Sequence, residues 1–459
     1  MRWRSGLARL LLAVLGTLLI AQPVVAHAGG LSGVVDPGPV PLWLVVATGG
    51  VVVGASFLFS TFITDHAAMR AVAGWRYRLP IPIWTRRLAT WLFRALGLAG
   101  LALVFVSGLV GPSQVTLNAA LLIVWVAWWA GFTMSVYLVG NPWPAINPWS
   151  SVAAVLADRP RWEYPAWLGV WPSVVGLLGL VWLEVVSPVA EDPRLLVGVI
   201  AAYSAVTVVG ATAIGSDIWF RNVDPIARVF RVYGGLAPVQ RTPDGLALAL
   251  PSAALIRQAI PEEPGEAAFV VALLWVTTFD GLVATPAWRS VIGPLVGFGL
   301  PARLVYVVAI GLGFLVFLGG YRLAAAWSRR TADTYVAASY LRRWFTPSLV
   351  PIAAGYHIAH FLGFFLSLAP VVAAVIQAPF TPPSVEPLTL PGWFATSQLL
   401  FVLGGHLVAV WVAHARSFEL FPGVLAPIRS QYPFIILMVF YTMTSMWVVA
   451  QPFVQPPYV

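Results

Sequence analysis

The stretch LWLVVATGGVVVGASFLFSTFIT, residues 42–64, contains 23 residues and not one ionisable side chain. At about 1.5 Å of helical rise per residue it reaches roughly 35 Å, enough to cross the roughly 30 Å hydrocarbon core of a bilayer. A segment carrying Arg70, Arg76, Arg78, Arg86 and Arg87 follows it. This alternation of a long apolar run and an arginine-bearing loop decides the fold.

Working outward, comparable runs recur at 88–110, 117–139, 167–188, 194–214, 267–286, 301–327, 347–376, 394–415 and 431–452. The chain therefore reads as an all-α, polytopic bundle of about ten transmembrane helices. The loops test this against the excess of basic residues expected on the cytoplasmic side. Taking 42–64 to start outside, the loops due inside carry Arg70 to Arg87, then Arg159 and Arg161, then Arg221, Arg228, Arg231, Arg241 and Arg257. They continue with Arg329, Arg330, Arg342 and Arg343, and end with Arg416 and Arg429. The alternate loops 111–116 and 377–393 have no arginine, and 189–193 holds Glu191-Asp192. Every loop agrees.

Composition points the same way. Hydrophobic residues are 59% and charged residues 9%, and mean hydropathy is +0.85, too little charge for the shell of a soluble domain. The net charge of +9 does not indicate nucleic acid, because the arginines are divided among alternate loops. No lysine occurs, and the arginine-, alanine- and glycine-rich usage points to a GC-rich prokaryotic genome. With no cysteine, disulfides, thiolate nucleophiles and cysteine-ligated metal centres are excluded.

Residues 1–26 combine Arg2, Arg4 and Arg9 with an apolar run from Leu10 to Ile20 and a Val24-Val25-Ala26 end, the pattern of a secretory signal peptide. Cleavage after Ala26 leaves 27–459 as one membrane domain with both mature ends outside, in the cytoplasmic membrane of a prokaryote. His27 then becomes the N-terminus, where amine and imidazole together are able to chelate copper. Two loop segments, Asn147-Pro148-Trp149 and Asp224-Pro225-Ile226, each open a short amphipathic helix along the inner surface, the second anchored by Arg228 and Arg231. An internal duplication and two independent turn signals both explain the pair.

One group of residues carries chemistry. His357 and His360 lie three residues apart in the run 347–376, and His406 follows Gly404-Gly405 in the run 394–415. His357 and His406 each stand ten residues from an inner boundary, at Pro347 and Arg416, so both lie roughly 15 Å deep. Asp280, fourteen residues from Glu266, lies roughly 21 Å deep. Ionisable groups at such depth are costly and are usually paired or functional. Three imidazoles and Asp280 form a candidate first shell for Zn, Fe or Cu, with Tyr356, Thr277 and Thr278 around it. A structural polar network and a proton or ion pathway are the rivals, and His357 with His406 offers the axial pair of a haem b. His414 is read as interfacial, His66 as a solvated loop residue, and Glu184 as either interfacial or a substrate contact.

The motifs Ala26-His27-Ala28-Gly29, Gly140-Asn141-Pro142-Trp143, Asn147-Pro148-Trp149, Thr278-Phe279-Asp280-Gly281, Tyr356-His357-Ile358-Ala359-His360, Gly405-His406 through Ala413-His414, and Ser430-Gln431-Tyr432-Pro433 resemble the fenitrothion hydrolase-like family of prokaryotic polytopic membrane proteins. The resemblance covers most of the chain. It implies a membrane-bound hydrolase of organophosphorus esters, with a metal as an optional participant. The expectation is thus a membrane metalloenzyme using Asp280 as fourth ligand or general base on an unidentified small-molecule substrate. A metal or small-solute permease and a haem-bearing electron-transfer protein are the alternatives.

Overall fold

In hydrocarbon no water satisfies the backbone, so apolar runs of this length have to close their hydrogen bonds within a helix. The computed structural model describes residues 41–156, 160–258, 263–452 and 454–459. The expected signal peptide 1–26, His27 and Arg159 lie outside these residues.

The first half comprises α1 (Leu42–Ser60), α2 (His66–Gly74), β1 (Arg76–Pro80), α3 (Ile83–Val110), α4 (Ala119–Leu138), α5 (Pro148–Leu156), α6 (Trp171–Val186), α7 (Pro193–Ile214) and α8 (Pro225–Gly234). The second comprises β2 (Val239–Thr242), β3 (Gly245–Ala249), α9 (Glu266–Val283), α10 (Pro286–Gly297), α11 (Ala302–Thr331), α12 (Ala338–Phe345), α13 (Val350–Gln377), α14 (Phe394–Leu420) and α15 (Leu425–Val449). Among the described residues nine helices are long and apolar enough to cross a membrane. The protein is a multi-pass membrane protein with an all-α bundle.

The one expected run not among these nine, 167–188, forms a shorter helix than its hydropathy indicates. Helix α6 has 16 residues, about 24 Å. Gly169 at φ +47° and Pro172 in its first turn set its start, and Ser187-Pro188 ends it. The middle of α4 is wound as a π-helix from Leu122 to Phe132, a winding often found at functional sites.

The arginine-bearing loops meet at one end of the bundle. Strands β1, β3 and β2 form an antiparallel sheet in that order, with Arg76 opposite Ala249 and Thr242 opposite Gly245, which joins the loop after α1 to the loop after α8. The sequence reading gave only an amphipathic helix between 215 and 266. Both Asn/Asp-Pro pairs do open helices: Asn147 Oδ1 accepts from the Trp149 and Ser150 amides, and Asp224 Oδ1 from Ala227. Arg228, expected at the surface, is instead buried in an ion pair with Glu266 and lies 5.2 Å from the Phe269 ring centroid. Arg416 is fully buried. It donates to the carbonyls of Trp344, Leu255, Ile256 and Gln258 and stacks 4.3 Å over the Trp344 ring. His414, read as lying at the inner boundary, is buried there, with Nε2 2.9 Å from the Ile63 carbonyl and Nδ1 against the Gln431 amide. His66, expected in solvent, has its ring nitrogens 2.8 Å and 2.9 Å from the carbonyls of Phe418 and Gly423.

Candidate functional site

Helices α13 and α14 meet backbone to backbone. A β-carbon on Gly355 would lie 2.8 Å from the Gly405 Cα, and one on Gly405 would lie 2.5 Å from the Pro351 carbonyl oxygen. The adjacent Gly404 faces open space. Since a helix turns about 100° per residue, Gly355 also fixes where its neighbours point. His357 and His360 stand roughly 200° and 140° around the helix from it, on the face away from α14.

That face is turned towards α4 and α9. His360 Nε2 lies 3.1 Å from Asp280 Oδ2, joining α13 to α9. The Tyr356 ring lies parallel to the His360 ring at 6.3 Å. Its hydroxyl abuts Gly281, where any β-carbon would collide with it. No described residue hydrogen-bonds this buried hydroxyl. Asp280, His360 and Tyr356 are therefore the expected site residues that the fold brings together.

His357 belongs to a different set. Its Nδ1 is 3.1 Å from the Tyr137 hydroxyl, and its ring packs against Trp129, Tyr137, Tyr233 and Phe361. His406 is fully buried, and its Nδ1 lies 2.8 Å from the Val402 carbonyl of its own helix. Thr277 and Thr278 likewise donate to carbonyls one turn back, at Leu274 for both and also Leu273 for Thr277, as intrahelical Ser and Thr commonly do.

The donor set expected for a metal is thus not gathered, and among the described residues no three His, Asp or Glu side chains stand close enough to hold an ion. The reason is helical phase. Equal depth puts His357, His360 and His406 at one level, but the glycine contact turns the first two away from the third. The same contact leaves no slot between α13 and α14 for a porphyrin, so His357 and His406 do not fit as haem ligands.

Asp280 also borders a half-open cavity of about 470 Å³ lined by α3 to α9 and by Phe361 of α13, within the size range of small-molecule sites. Trp125, Trp128, Trp129 and Phe132 line it from the π-wound part of α4, and Trp143, Trp149 and Tyr203 from the arginine-rich side. Two of the Asn-Pro-Trp segments singled out in the sequence find structural use here. Asn141 donates to the Phe230 carbonyl and accepts from the Trp143 amide, and Trp149 donates to Ser204 Oγ, which sets both indoles in the wall. Glu184 and Thr277 complete the polar lining. Sequence reasoning missed Tyr137 and the cavity, although the Trp125, Trp128, Trp129 and Phe132 spacing marks one aromatic face. No family model, curated protein or solved structure matches this chain.

Proposed function

We propose that this protein is a membrane-embedded hydrolase of lipophilic organophosphate-type esters, with Asp280 as the general base. One observation carries the reading: a carboxylate in the wall of an apolar cavity is held from behind by an imidazole at 3.1 Å. The resemblance to fenitrothion hydrolase-like proteins supplies the reaction class. Asp280 would take a proton from water as it attacks phosphorus, and would return it to the departing alkoxide or phenoxide as the phosphorus–oxygen ester bond breaks. His360 fixes the carboxylate rotamer, and Tyr356 closes the far side of the imidazole. No step is assigned to a metal, because the donors do not converge. We place the arginine-rich end in the cytoplasm of a prokaryote, consistent with the loop charges.

The test is release of nitrophenolate from a lipophilic aryl phosphotriester by the detergent-purified chain. A general base contributes about 10²- to 10⁴-fold, so Asp280→Asn should lower kcat by that factor while leaving the unfolding midpoint nearly unchanged. Wild-type protein inert towards a panel of such esters, or an Asp280→Asn variant at full rate, would overturn the reading. A permease is the second reading. It is favoured by the reach of the cavity from Trp149 and Pro225 at the arginine-rich end to Glu184 and Val189 nearer the other. Uptake of an unmodified solute into proteoliposomes would decide for it.

A further inference from the structure

The walls of the half-open cavity diverge at one place in the bundle. Helices α6 and α7 are consecutive, joined by residues 187–192. Yet α6 packs on α8, α9 and α11, whereas α7 packs on α3 and α5. The space between them is framed at both ends. Towards the arginine-rich end, Trp219–Val223 wedges between the two helices. Any β-carbon on Gly210 of α7 would collide with the Trp219 ring, and one on Gly176 of α6 would lie 3.1 Å from Pro225 Cγ. The Tyr203 hydroxyl, donating to Asp224 at 2.7 Å, ties α7 to the same wedge. At the other end the Pro188–Ala190 turn closes the frame, with Val189 packed among Val104, Ala120, Leu121 and Leu196.

Within this frame each helix carries one stripe from the cavity to the outer surface. On α7, Val199 lines the cavity and Val206 is 63% exposed. Seven residues bring a helix back to within about 20° of the same direction, so the two side chains share a face. On α6, Leu183 lines the cavity and Gly179, one turn back, is exposed. Leu183 and Val199 therefore border an opening between the helices. Val199 stands six residues into the 22-residue α7, roughly 9 Å from its end, which is hydrocarbon depth for a helix long enough to span the bilayer. An alkyl chain crossing there leaves one apolar phase for another, and gains dispersion contacts with the denser aromatic wall. A hydrated solute would first have to shed its water.

We propose that this cavity is entered sideways from the bilayer, between α6 and α7, by the hydrocarbon chain of a membrane-dissolved amphiphile. The inference is independent of the hydrolytic reading, since occupancy is measured without turnover. The probe is a phosphatidylcholine with a diazirine at the end of one acyl chain, mixed into nanodiscs holding the full chain. Light expels dinitrogen and leaves a carbene that inserts into the nearest C–H bond, and the adducts are mapped by mass spectrometry. Val276 and Thr277 line the cavity from α9, a helix almost wholly buried. Wild-type protein should carry adducts there as well as at the exposed Val206 and Val209. Val199→Trp, which sets an indole in the opening, should lower the α9 adducts about tenfold relative to those at Val206 and Val209, as an occupancy cost of about 1.4 kcal/mol would. Leu183→Trp, on the opposite edge, should do the same. Wild-type adducts confined to exposed residues would overturn the proposal. So would undiminished α9 adducts in a folded Val199→Trp or Leu183→Trp variant. The wild-type map needs no substitution, so misfolding of either variant leaves the proposal open to refutation.

Discussion

The arginine-rich end of the bundle and its centre treat buried polarity differently: at the end every buried charge is engaged, and at the centre whole polar groups are left without a partner among the described residues. At the arginine-rich end each buried cation has partners for its charge, although Arg228 Nε and Arg416 Nη2 make no hydrogen bond among the described residues: Arg228 meets Glu266, the Arg221 carbonyl and the Phe269 ring, and Arg416 four carbonyls and the Trp344 ring. Near the membrane centre, the Tyr356 hydroxyl and the Nε2 atoms of His357 and His406 have no hydrogen-bond partner among the described residues. Each such atom costs about 1–3 kcal/mol. The difference separates charge that holds loops to helices from polarity that the fold leaves available. Substitutions at the two ends should therefore fail in different ways, one in stability and the other in activity or binding.

The largest effect on stability should come from Arg228. Removing one member of a buried ion pair strands the other and typically costs about 3–5 kcal/mol. Arg228→Met should therefore lower stability in detergent by about that amount, measured by denaturant-induced unfolding. The Arg228→Met/Glu266→Gln double variant should recover part of the loss. No recovery would mean that Arg228 acts through Phe269 and the Arg221 carbonyl rather than through Glu266.

A second effect at the same end depends on pH. Asp224 is buried beside Tyr203, whose hydroxyl donates to it at 2.7 Å. Burial raises its carboxyl from 3.8 to about 6, against the lowering effect of the Ala227 amide and that hydroxyl. The folded protein thus holds a proton that the unfolded chain has lost between those values. Stability from this group is fully present below about pH 4 and declines as pH rises through about 6. At about 1.4 kcal/mol per pKa unit the difference is about 3 kcal/mol. Asp224→Asn keeps an oxygen acceptor for Ala227 and should flatten the stability profile between pH 4 and 6. An unchanged slope would show that Asp224 does not govern it.

The membrane fold was legible because apolar length and loop arginines are one-dimensional signals. The sheet was hidden by the shortness of β2 and β3, although Pro243-Asp244-Gly245 is a recognisable turn between them. The site was half legible. Depth follows from counting residues, and it placed Asp280 and His360 together correctly. Rotation around a helix is equally countable, but only once a neighbour's face is known. Gly355 and Gly405 supply that face, and with it the reason that His406 stands apart from His360. The cavity that joins Glu184 to the indole wall was illegible for another reason: its lining comes from α4, α6, α7 and the loops between helices, and only packing assembles it.

The smallest expected effect tests this distinction most closely. Thr277 lies in the cavity wall, one turn below Asp280, and by sequence belonged with the site. Its hydroxyl, however, is engaged by the Leu273 and Leu274 carbonyls, which already serve the helix ladder. Thr277→Val is nearly isosteric, and loss of an accessory bond of this kind should change stability by no more than about 0.5–1.5 kcal/mol. Hydrolysis should stay within about twofold of wild type, which corresponds to about 0.4 kcal/mol. A tenfold loss would mean that the Thr277 hydroxyl leaves its own helix when a ligand enters. The polar wall would then extend one turn below Asp280, and the division between anchored and available groups would have to be redrawn within α9 itself.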